Sequence, residues 1–373
     1  MTAAPKSSAM YDELVSLLGD VRDDYILNPE RFRDSLEVSE AFLYVGQLLA
    51  TASEFYMEAD PERPRFASIV TPARKMQGDN PDAIYHFARI QGDRTYRVTG
   101  KIDKECYTSF TVHGRAEDGG MAGPLLGDLN DRDFDVEPDG SYELIFSADQ
   151  QPGNWVRLDP EAYALITRAY FQLPVSAQND PAVQVNIDIE CLDDVGPPPP
   201  LTDAVLAERM ADAVGFVRQT TLKQNVFGGP SPVPFVSDVP NELPAPFSFR
   251  DTGLPVPGAA DIFYASCQFQ LQPDEALVMS GVLPPGPFAN VMLWNTHMQT
   301  FDYRNRTTSL NGAQMELGPG GEYRIVISEQ DPGVPNWMDT AGHARGTVFW
   351  RFLLPESDPP KPECSVVPVN SLR

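Results

Sequence analysis

The sequence predicts a mainly β protein with flanking helices, in which two tandem β-sandwich or jelly-roll-like domains arise from an internal duplication. Short runs of alternating polar and apolar residues occupy two long stretches, and helical periodicity is confined to the segments around them. The chain also has 36 prolines, which are excluded from helix interiors and central strands. Finally, the two β-rich stretches resemble each other in order along the chain.

The N-terminal region shows the periodicity of two amphipathic helices. Residues 9–27 form the first helix, with Ser8 as its expected N-cap. Asn28-Pro29 is typical of a cap followed by proline at the first helical position, so a second helix is expected to begin there and to end before Asp60.

These helices are predicted to pack on a β domain, because two helices alone bury little apolar surface. The second helix is expected to carry its apolar residues on one buried face, which are Leu36, Phe42, Leu43, Leu48, Leu49, Ala52 and Phe55. A third helix is predicted over 203–223, with Thr202 as its N-cap.

The strands of the first β-rich stretch are predicted from their period of two and their turn-rich borders. They include TYRVTG (95–100), YTSFTVHG (107–114), SYELIFS (141–147) and VQVNIDIECL (183–192). GPPPP (196–200) is typical of a stiff linker. Strand patterns return at about residue 258 and continue to 355.

The duplication is visible in matched segments of the two stretches. YELIFSADQQPGNW (142–155) matches YRIVISEQDPGVPNW (323–337), and YFQLP (170–174) matches RFLLP (351–355). GDRTYRVTG (92–100) and PDEALVMSG (273–281) also share an aspartate and a final glycine. The offset stays between 179 and 182 residues, so only short loop insertions separate the copies.

We therefore divide the chain into five parts. They are a helical N-terminal region (1–78), a first β-sandwich repeat (79–195), a linker with a bridging helix and a proline-rich arm (196–257), a second β-sandwich repeat (258–356) and a C-terminal tail (357–373).

The segment PGVPNWMDTAGHARGTVFWRFLLP (332–355) resembles the bacterial family catalogued as domain of unknown function 1214. The resemblance is best over 258–356 and weaker over the internal copy at about 80–192. It implies a jelly-roll-like β fold and carries no settled activity.

Composition narrows the classes of partner. The formal net charge is −25, which disfavours nucleic acid and anionic membrane surfaces. No apolar stretch is long enough for a membrane span, and no secretory signal is visible, so we expect a cytoplasmic protein. The four cysteines form no C-x-x-C pair and the four histidines no zinc-binding motif, so neither a metal nor a cofactor is expected.

The catalytic candidates lie in one loop of the second repeat. Asp339 and His343 are four residues apart, so a helical turn would place a carboxylate beside an imidazole as a general base, with Arg345 as the nearby cation. Asn336 and Trp337 precede them and are candidate ligand contacts, although the first repeat keeps the same Asn-Trp pair. The alternative is that the whole loop is structural.

Further ligand-binding candidates lie in WNTHMQTFDYRNR (294–306), where Trp294, His297, Tyr303 and Arg304 alternate aromatic and polar groups. Such alternation is also what any half-exposed strand shows. In the first repeat, Arg168 is a candidate for binding a carboxylate or for joining a buried polar network.

The leading functional hypothesis is a cofactor-independent small-molecule enzyme that uses acid–base chemistry, as a hydrolase or a lyase or hydratase, in a cleft of the sandwiches. A non-catalytic module that binds carbohydrate or another small ligand is the first alternative. The second is an assembly protein without a pocket, and a homodimer is possible in either case.

Overall fold

The computed structural model describes residues 4–223, 231, 233–249 and 261–372. Part of the proline-rich arm and the first residues of the second repeat lie outside the described residues. The helices are α1 (Lys6–Asp20), α2 (Ser35–Ala52) and α3 (Asp203–Thr221). The strands are β1 (Ala67–Ser68), β2 (Ala83–Arg89), β3 (Tyr96–Lys101), β4 (Tyr107–Gly114), β5 (Leu125–Asn130), β6 (Ser141–Ser147), β7 (Trp155–Arg157), β8 (Ala162–Tyr170), β9 (Asn186–Cys191), β10 (Val236–Ser237), β11 (Ile262–Gln270), β12 (Glu275–Val282), β13 (Phe288–Trp294), β14 (Ser309–Asn311), β15 (Glu322–Ser328), β16 (Trp337–Asp339), β17 (Arg345–Leu353) and β18 (Glu363–Pro368).

Side chains cap the N-termini of α2 and α3. The Thr202 hydroxyl accepts the Val205 N–H at 3.3 Å, which confirms the predicted cap of α3. The Asp34 carboxylate accepts the Glu37 N–H at 2.9 Å at the start of α2. Each contact satisfies an N–H that the first helical turn leaves without a backbone partner.

The predicted starts of the first two helices are wrong. α1 begins at Lys6, so Ser8 lies inside the helix, and it continues as π-helical turns over Val21–Ile26. Asn28 caps no helix, because its side chain instead accepts the Glu30 N–H at 2.9 Å within a separate turn.

The two repeats have the same strand order in both of their sheets, which confirms two tandem β-sandwiches. The five-stranded front sheets run β1-β2-β8-β4-β5 and β10-β11-β17-β13-β14. The four-stranded back sheets run β7-β6-β3-β9 and β16-β15-β12-β18. β18, which pairs with β12, comes from the segment that we expected to be a tail.

Each sandwich has its own core between front and back sheets. Phe110 and Phe146 are fully buried in the first core, and Ile325 and Trp350 are fully buried in the second. In the front sheets, Phe110 and Trp350 alternate with residues that point to the outer face, as the pleat requires.

The helices cover one end of the outer face of the first front sheet. Phe87 of β2 stacks on Phe55, which follows α2, with ring centroids 4.4 Å apart. Ile166 of β8 and Phe216 of α3 belong to the same apolar cluster. No helix in the described part of the chain is long and apolar enough to cross a membrane.

The second repeat covers the other end of that face. The rings of Tyr170 and Phe288 meet there at 5.1 Å. Beside them, the buried Asp82 carboxylate accepts the Asn290 amide at 3.0 Å and the Asn311 amide at 2.8 Å. Hydrogen bonds from a buried carboxylate therefore join the two repeats.

The predicted buried face of the second helix is right only in its C-terminal half. Leu48, Ala52 and Phe55 are buried, whereas Leu36, Phe42 and Leu43 are exposed and Tyr44 faces the core instead. Residues 36 and 43 lie two turns apart on one side of the helix, roughly a third of a turn around the axis from Tyr44 and Leu48. Apolar character alone did not identify which side of this helix is buried.

Candidate functional site

His343 and Asp339 do not form the pair that their spacing predicted. Ala341 and Gly342 have φ values of 54° and 83°, so the chain between the two candidates is not a helical turn. The Asp339 carboxylate instead accepts the Arg306 guanidinium at 2.6 Å and the Ala341 N–H at 2.7 Å.

The carboxylate that holds His343 comes from α2. His343 Nε2 lies 3.0 Å from Glu40 Oε1, and Nδ1 lies 2.9 Å from the Thr340 carbonyl oxygen. The ring stacks on Phe301 with centroids 4.1 Å apart. Burial lowers the pKa of His343, but the hydrogen bond and charge of Glu40 raise it more, so the pKa lies above its usual value.

Arg345 is also bound to the N-terminal region. Its guanidinium forms a two-point ion pair with Glu37, with N–O distances of 2.5 Å and 2.7 Å. It also donates to the Arg31 carbonyl at 2.9 Å. This arrangement anchors the second repeat to the start of α2 and leaves the guanidinium little capacity for a ligand.

His297 and Trp294 are buried in packing contacts. His297 is 2% exposed, contacts the Tyr25 hydroxyl through Nδ1 at 2.8 Å and stacks on Tyr44. Burial lowers its pKa to about 4, so the ring is neutral at pH 7. Trp294 is 1% exposed and donates to the Asp79 carbonyl at 3.1 Å.

Tyr303 and Arg304 point to different environments. Tyr303 is 6% exposed and lies beneath the Lys75 ammonium, 4.4 Å from the ring centroid. Arg304 is exposed at the surface. The aromatic residues of this segment are therefore not available as an open platform.

Asn336 and Trp337 make the same kind of structural hydrogen bonds as their counterparts in the first repeat. Asn336 bonds the Glu316 N–H and carbonyl, each at 2.8 Å, and so holds its own loop in place. Trp337 donates to the Ser328 hydroxyl at 3.0 Å, and Trp155 donates to the Ser147 hydroxyl at the same distance.

Arg168 lies in a different environment, on the outer face of the first front sheet. Strand register places Tyr85, Arg168, Ser109 and Asn130 in one row across β2, β8, β4 and β5. The adjoining row includes Thr111 and Asp128. We call the set Ser109, Thr111, His113, Asp128, Asn130 and Arg168 the Arg168 face.

A chain of hydrogen bonds fixes the centre of the Arg168 face. Arg168 donates to the Thr111 hydroxyl oxygen at 2.8 Å, and that hydroxyl lies 3.0 Å from His113 Nε2 and 3.4 Å from the Ile166 carbonyl. His113 Nδ1 lies 3.2 Å from the Gly123 carbonyl, so it carries the ring proton and Nε2 accepts from Thr111. Burial lowers the pKa of His113 to about 4, which keeps the ring in this neutral form.

The electrostatics of the Arg168 face favour an anion beside a proton-carrying group. Asp128 lies on the exposed side of β5, and its partial desolvation raises its pKa more than the nearby charge of Arg168 lowers it. Arg168 is half-buried and bonds Thr111, and among the described residues no carboxylate lies within ion-pair distance of it. At the edge of the Arg168 face, the Tyr107 hydroxyl and the Asn130 amide both donate to the Asp261 carboxylate, at 2.8 Å and 3.1 Å.

The second repeat has apolar residues at the positions equivalent to Arg168 and Thr111. Phe349 lies two residues before RFLLP, as Arg168 lies two residues before YFQLP. Trp294 has the same position in the pairing of β13 with β17 that Thr111 has in the pairing of β4 with β8. Phe349 and Trp294 stack with centroids 4.2 Å apart. The sandwich fold therefore does not require polar groups here, and those of the first repeat are candidates for function.

Sequence reasoning missed most of this site. Arg168 was identified, but Thr111, His113 and Asp128 were not assigned to it, because they come from other strands and their register is not visible in the sequence. The available signal was the lack of a second-repeat counterpart for Arg168. A shift in register beside His113, typical of a β-bulge, also marks the site.

A surface groove is a weaker candidate. It has a volume of about 470 Å³, lies between residues 240–242 and 361–366, and is bordered by the exposed Glu242–Lys361 ion pair. Within the described residues, no group of three or more His, Cys, Asp or Glu side chains is placed to hold a metal ion.

The fold and the site define a protein of two tandem β-sandwiches with a polar cluster on the front sheet of the first. The chain belongs to the family described as protein of unknown function (DUF1214), whose model matches residues 86–172. The match covers most of the first repeat, whereas we expected the resemblance to be best in the second. It spans every member of the Arg168 face.

Solved structures extend the comparison to the whole chain. An uncharacterised protein from Burkholderia cenocepacia is 30% identical, with a TM-score of 0.82 and 97% of each chain covered. A protein from Vibrio parahaemolyticus is 14% identical, with a TM-score of 0.45, and covers 87% of this chain and 98% of its own. The comparison with curated proteins gave no match.

Proposed function

We propose that the chain is an enzyme that binds a small carboxylate-bearing molecule on the Arg168 face and carries out cofactor-independent acid–base chemistry on it. The observation that carries the proposal is a half-buried guanidinium that is oriented by Thr111 without a carboxylate partner among the described residues. An arginine held in this way offers its remaining N–H groups to a carboxylate in a two-point contact.

Each member of the site has a role that its surroundings support. Arg168 contacts the carboxylate of the ligand, and Thr111 and His113 position the guanidinium. Asp128 transfers the proton, because its raised pKa makes the ionised carboxylate a stronger base. The reaction class is a lyase or hydratase, or a hydrolase that activates water directly.

The hydratase case shows how these roles combine. Ionised Asp128 takes a proton from a water molecule, and the resulting hydroxide adds to a carbon–carbon double bond conjugated with the bound carboxylate. Arg168 stabilises the negative charge that develops on that carboxylate, and Asp128 then returns the proton to carbon.

The alternatives have less support. A carbohydrate module needs exposed aromatic platforms, and Trp294 and Tyr303 are buried. A non-catalytic module that binds a small acid at Arg168 remains the principal competitor.

The four cysteines are unpaired, which supports a reducing compartment such as the cytoplasm.

The test is a thermal-shift screen of small mono- and dicarboxylic acids. A ligand at about a hundred times its dissociation constant adds about 2.7 kcal/mol of stability, which raises the melting temperature measurably. We expect Arg168→Gln to abolish the shift and the exposed Arg304→Gln to leave it unchanged. A wild-type protein that responds to no acid, or an equal response in Arg168→Gln, would refute the proposal.

The Asp128→Asn variant tests whether Asp128 takes part in the reaction or only in ligand binding. If Asp128 transfers the proton, this variant keeps the thermal shift but loses conversion of the ligand, followed by proton NMR. If the wild type binds the acid and converts nothing, the non-catalytic module is correct.

A further inference from the structure

One buried hydroxyl of the Arg168 face has no hydrogen-bond partner among the described residues. It belongs to Ser109, which is 1% exposed. By contrast, the Thr111 hydroxyl accepts the Arg168 guanidinium at 2.8 Å and lies 3.0 Å from His113 Nε2. A buried hydroxyl without a partner costs free energy, and a bound group that hydrogen-bonds to it recovers that cost.

The sandwich fold does not require a hydroxyl at this position. Ser109 pairs with Arg168 across β4 and β8, and Met292 pairs with Phe349 in the same way across β13 and β17. Met292 is fully buried, so the second repeat has an apolar side chain at the equivalent place in its front sheet. Packing alone therefore does not explain Ser109, and loss of its hydroxyl should not unfold the protein.

Ser109 lies next to the guanidinium that we assign to the carboxylate of the ligand. Residues directly opposite each other on antiparallel strands have Cβ atoms about 4.5–5.5 Å apart, and their side chains point to the same face. The Arg168 guanidinium also reaches β4, because it donates to Thr111, two residues along the strand from Ser109. A ligand whose carboxylate binds Arg168 therefore has its first carbons near Ser109.

We propose that the ligand of the Arg168 face is a hydroxy acid, with a hydroxyl on carbon 2 or carbon 3 that hydrogen-bonds to Ser109. This inference rests on the proposed function of that face and names its substrate class. A serine hydroxyl both donates and accepts, so it can pair with a ligand hydroxyl in either direction. The proposed hydratase reaction forms such an acid, because carbon 3 of the unsaturated acid gains the hydroxyl and carbon 2 gains the proton.

Isothermal titration calorimetry with butanoate, 2-hydroxybutanoate and 3-hydroxybutanoate tests the proposal. Wild-type protein should bind one of the hydroxy acids about tenfold more tightly than butanoate, because a site built for a hydroxyl disfavours the analogue that lacks it. In Ser109→Ala this preference should be lost, while butanoate binds at least as tightly as before. The matched control is Ser266→Ala, which should keep the preference, since Ser266 is also buried but lies on β11 of the second repeat.

The outcomes separate this inference from the proposed function. Arg168→Gln should lose binding of all three acids, and undiminished binding would refute the proposed function. If wild-type protein binds butanoate through Arg168 but binds neither hydroxy acid more tightly, the hydroxy-acid inference is wrong and the proposed function stands. A preference that survives in Ser109→Ala would also overturn the inference, as would a wild type that binds none of the three acids.

Discussion

The fold shifts the pKa values of two histidines, His343 and His86, in opposite directions. His343 faces Glu40, and its pKa lies above the usual imidazole value. His86 lies within β2 without a carboxylate partner, and burial lowers its pKa to about 4. The folded state therefore favours the charged form of His343 and the neutral form of His86.

This contrast predicts opposite pH dependences. His343 stabilises the fold fully below its unfolded pKa of about 6.5, and the contribution is lost as the pH rises through the folded pKa. His343→Gln should therefore cost more stability at about pH 5.5 than at about pH 8.5, as measured by urea unfolding. His86→Gln should show the reverse, because it removes a group that destabilises the fold as the pH falls below 6.5. Equal losses at both pH values would contradict the Glu40 assignment.

At the scale of strands, a glycine–tyrosine pair recurs in both back sheets. Gly100 lies opposite Tyr142 on β3 and β6, and Gly281 lies opposite Tyr323 on β12 and β15. Each tyrosine ring covers its glycine, so a side chain has no room there. The pairing explains why both residues occur in the matched segments of the sequence.

Gly281→Ala should destabilise the protein by about 1–3 kcal/mol, because the new Cβ would lie 2.5 Å from the Tyr323 hydroxyl oxygen. Chemical unfolding measures the loss. Gly19→Ala is the control, since nothing lies within 4 Å of its added Cβ, and it should stabilise the helix by up to about 1 kcal/mol. A neutral Gly281→Ala would mean that the tyrosine moves aside without cost.

Local patterns predicted the fold better than the site. Alternation along single strands and the matched Asn-Trp pairs were sufficient to predict two similar sandwiches. The Glu40–His343 and Thr111–Arg168 contacts join residues far apart in sequence, and strand register and helix docking determine them. The N-terminal half of α2 was misjudged because its exposed side is also apolar.

At the scale of the whole molecule, the repeats are joined by a polar network as well as by apolar packing. Asp82 of the first repeat accepts amides from Asn290 and Asn311 of the second. All three side chains are fully buried, so none has water as a substitute partner.

Asp82→Ala should therefore cost on the order of 3 kcal/mol, because one N–H of each of the two buried amides loses its acceptor, while each amide keeps its other bond. Calorimetry of the wild type should show one unfolding transition, since the repeats share this network, and the variant should melt at a lower temperature. Asp358→Ala, at an exposed carboxylate, should be neutral. Two wild-type transitions would show that the repeats unfold independently.

The contacts between α1 and α3 affect the order in which the newly made chain can fold. The Ser7 hydroxyl donates to Asp203 at 2.6 Å, and Arg218 pairs with Glu13 at 3.1 Å, so α1 is completed by contacts about two hundred residues later in the chain. A ribosome synthesises α1, α2 and all strands of the first sandwich before α3. Until α3 is added, Phe87 and Ile166 lack part of their apolar cover, so apolar surface of the nascent chain stays exposed to water. A fragment that stops at residue 195 keeps that surface permanently exposed and should aggregate.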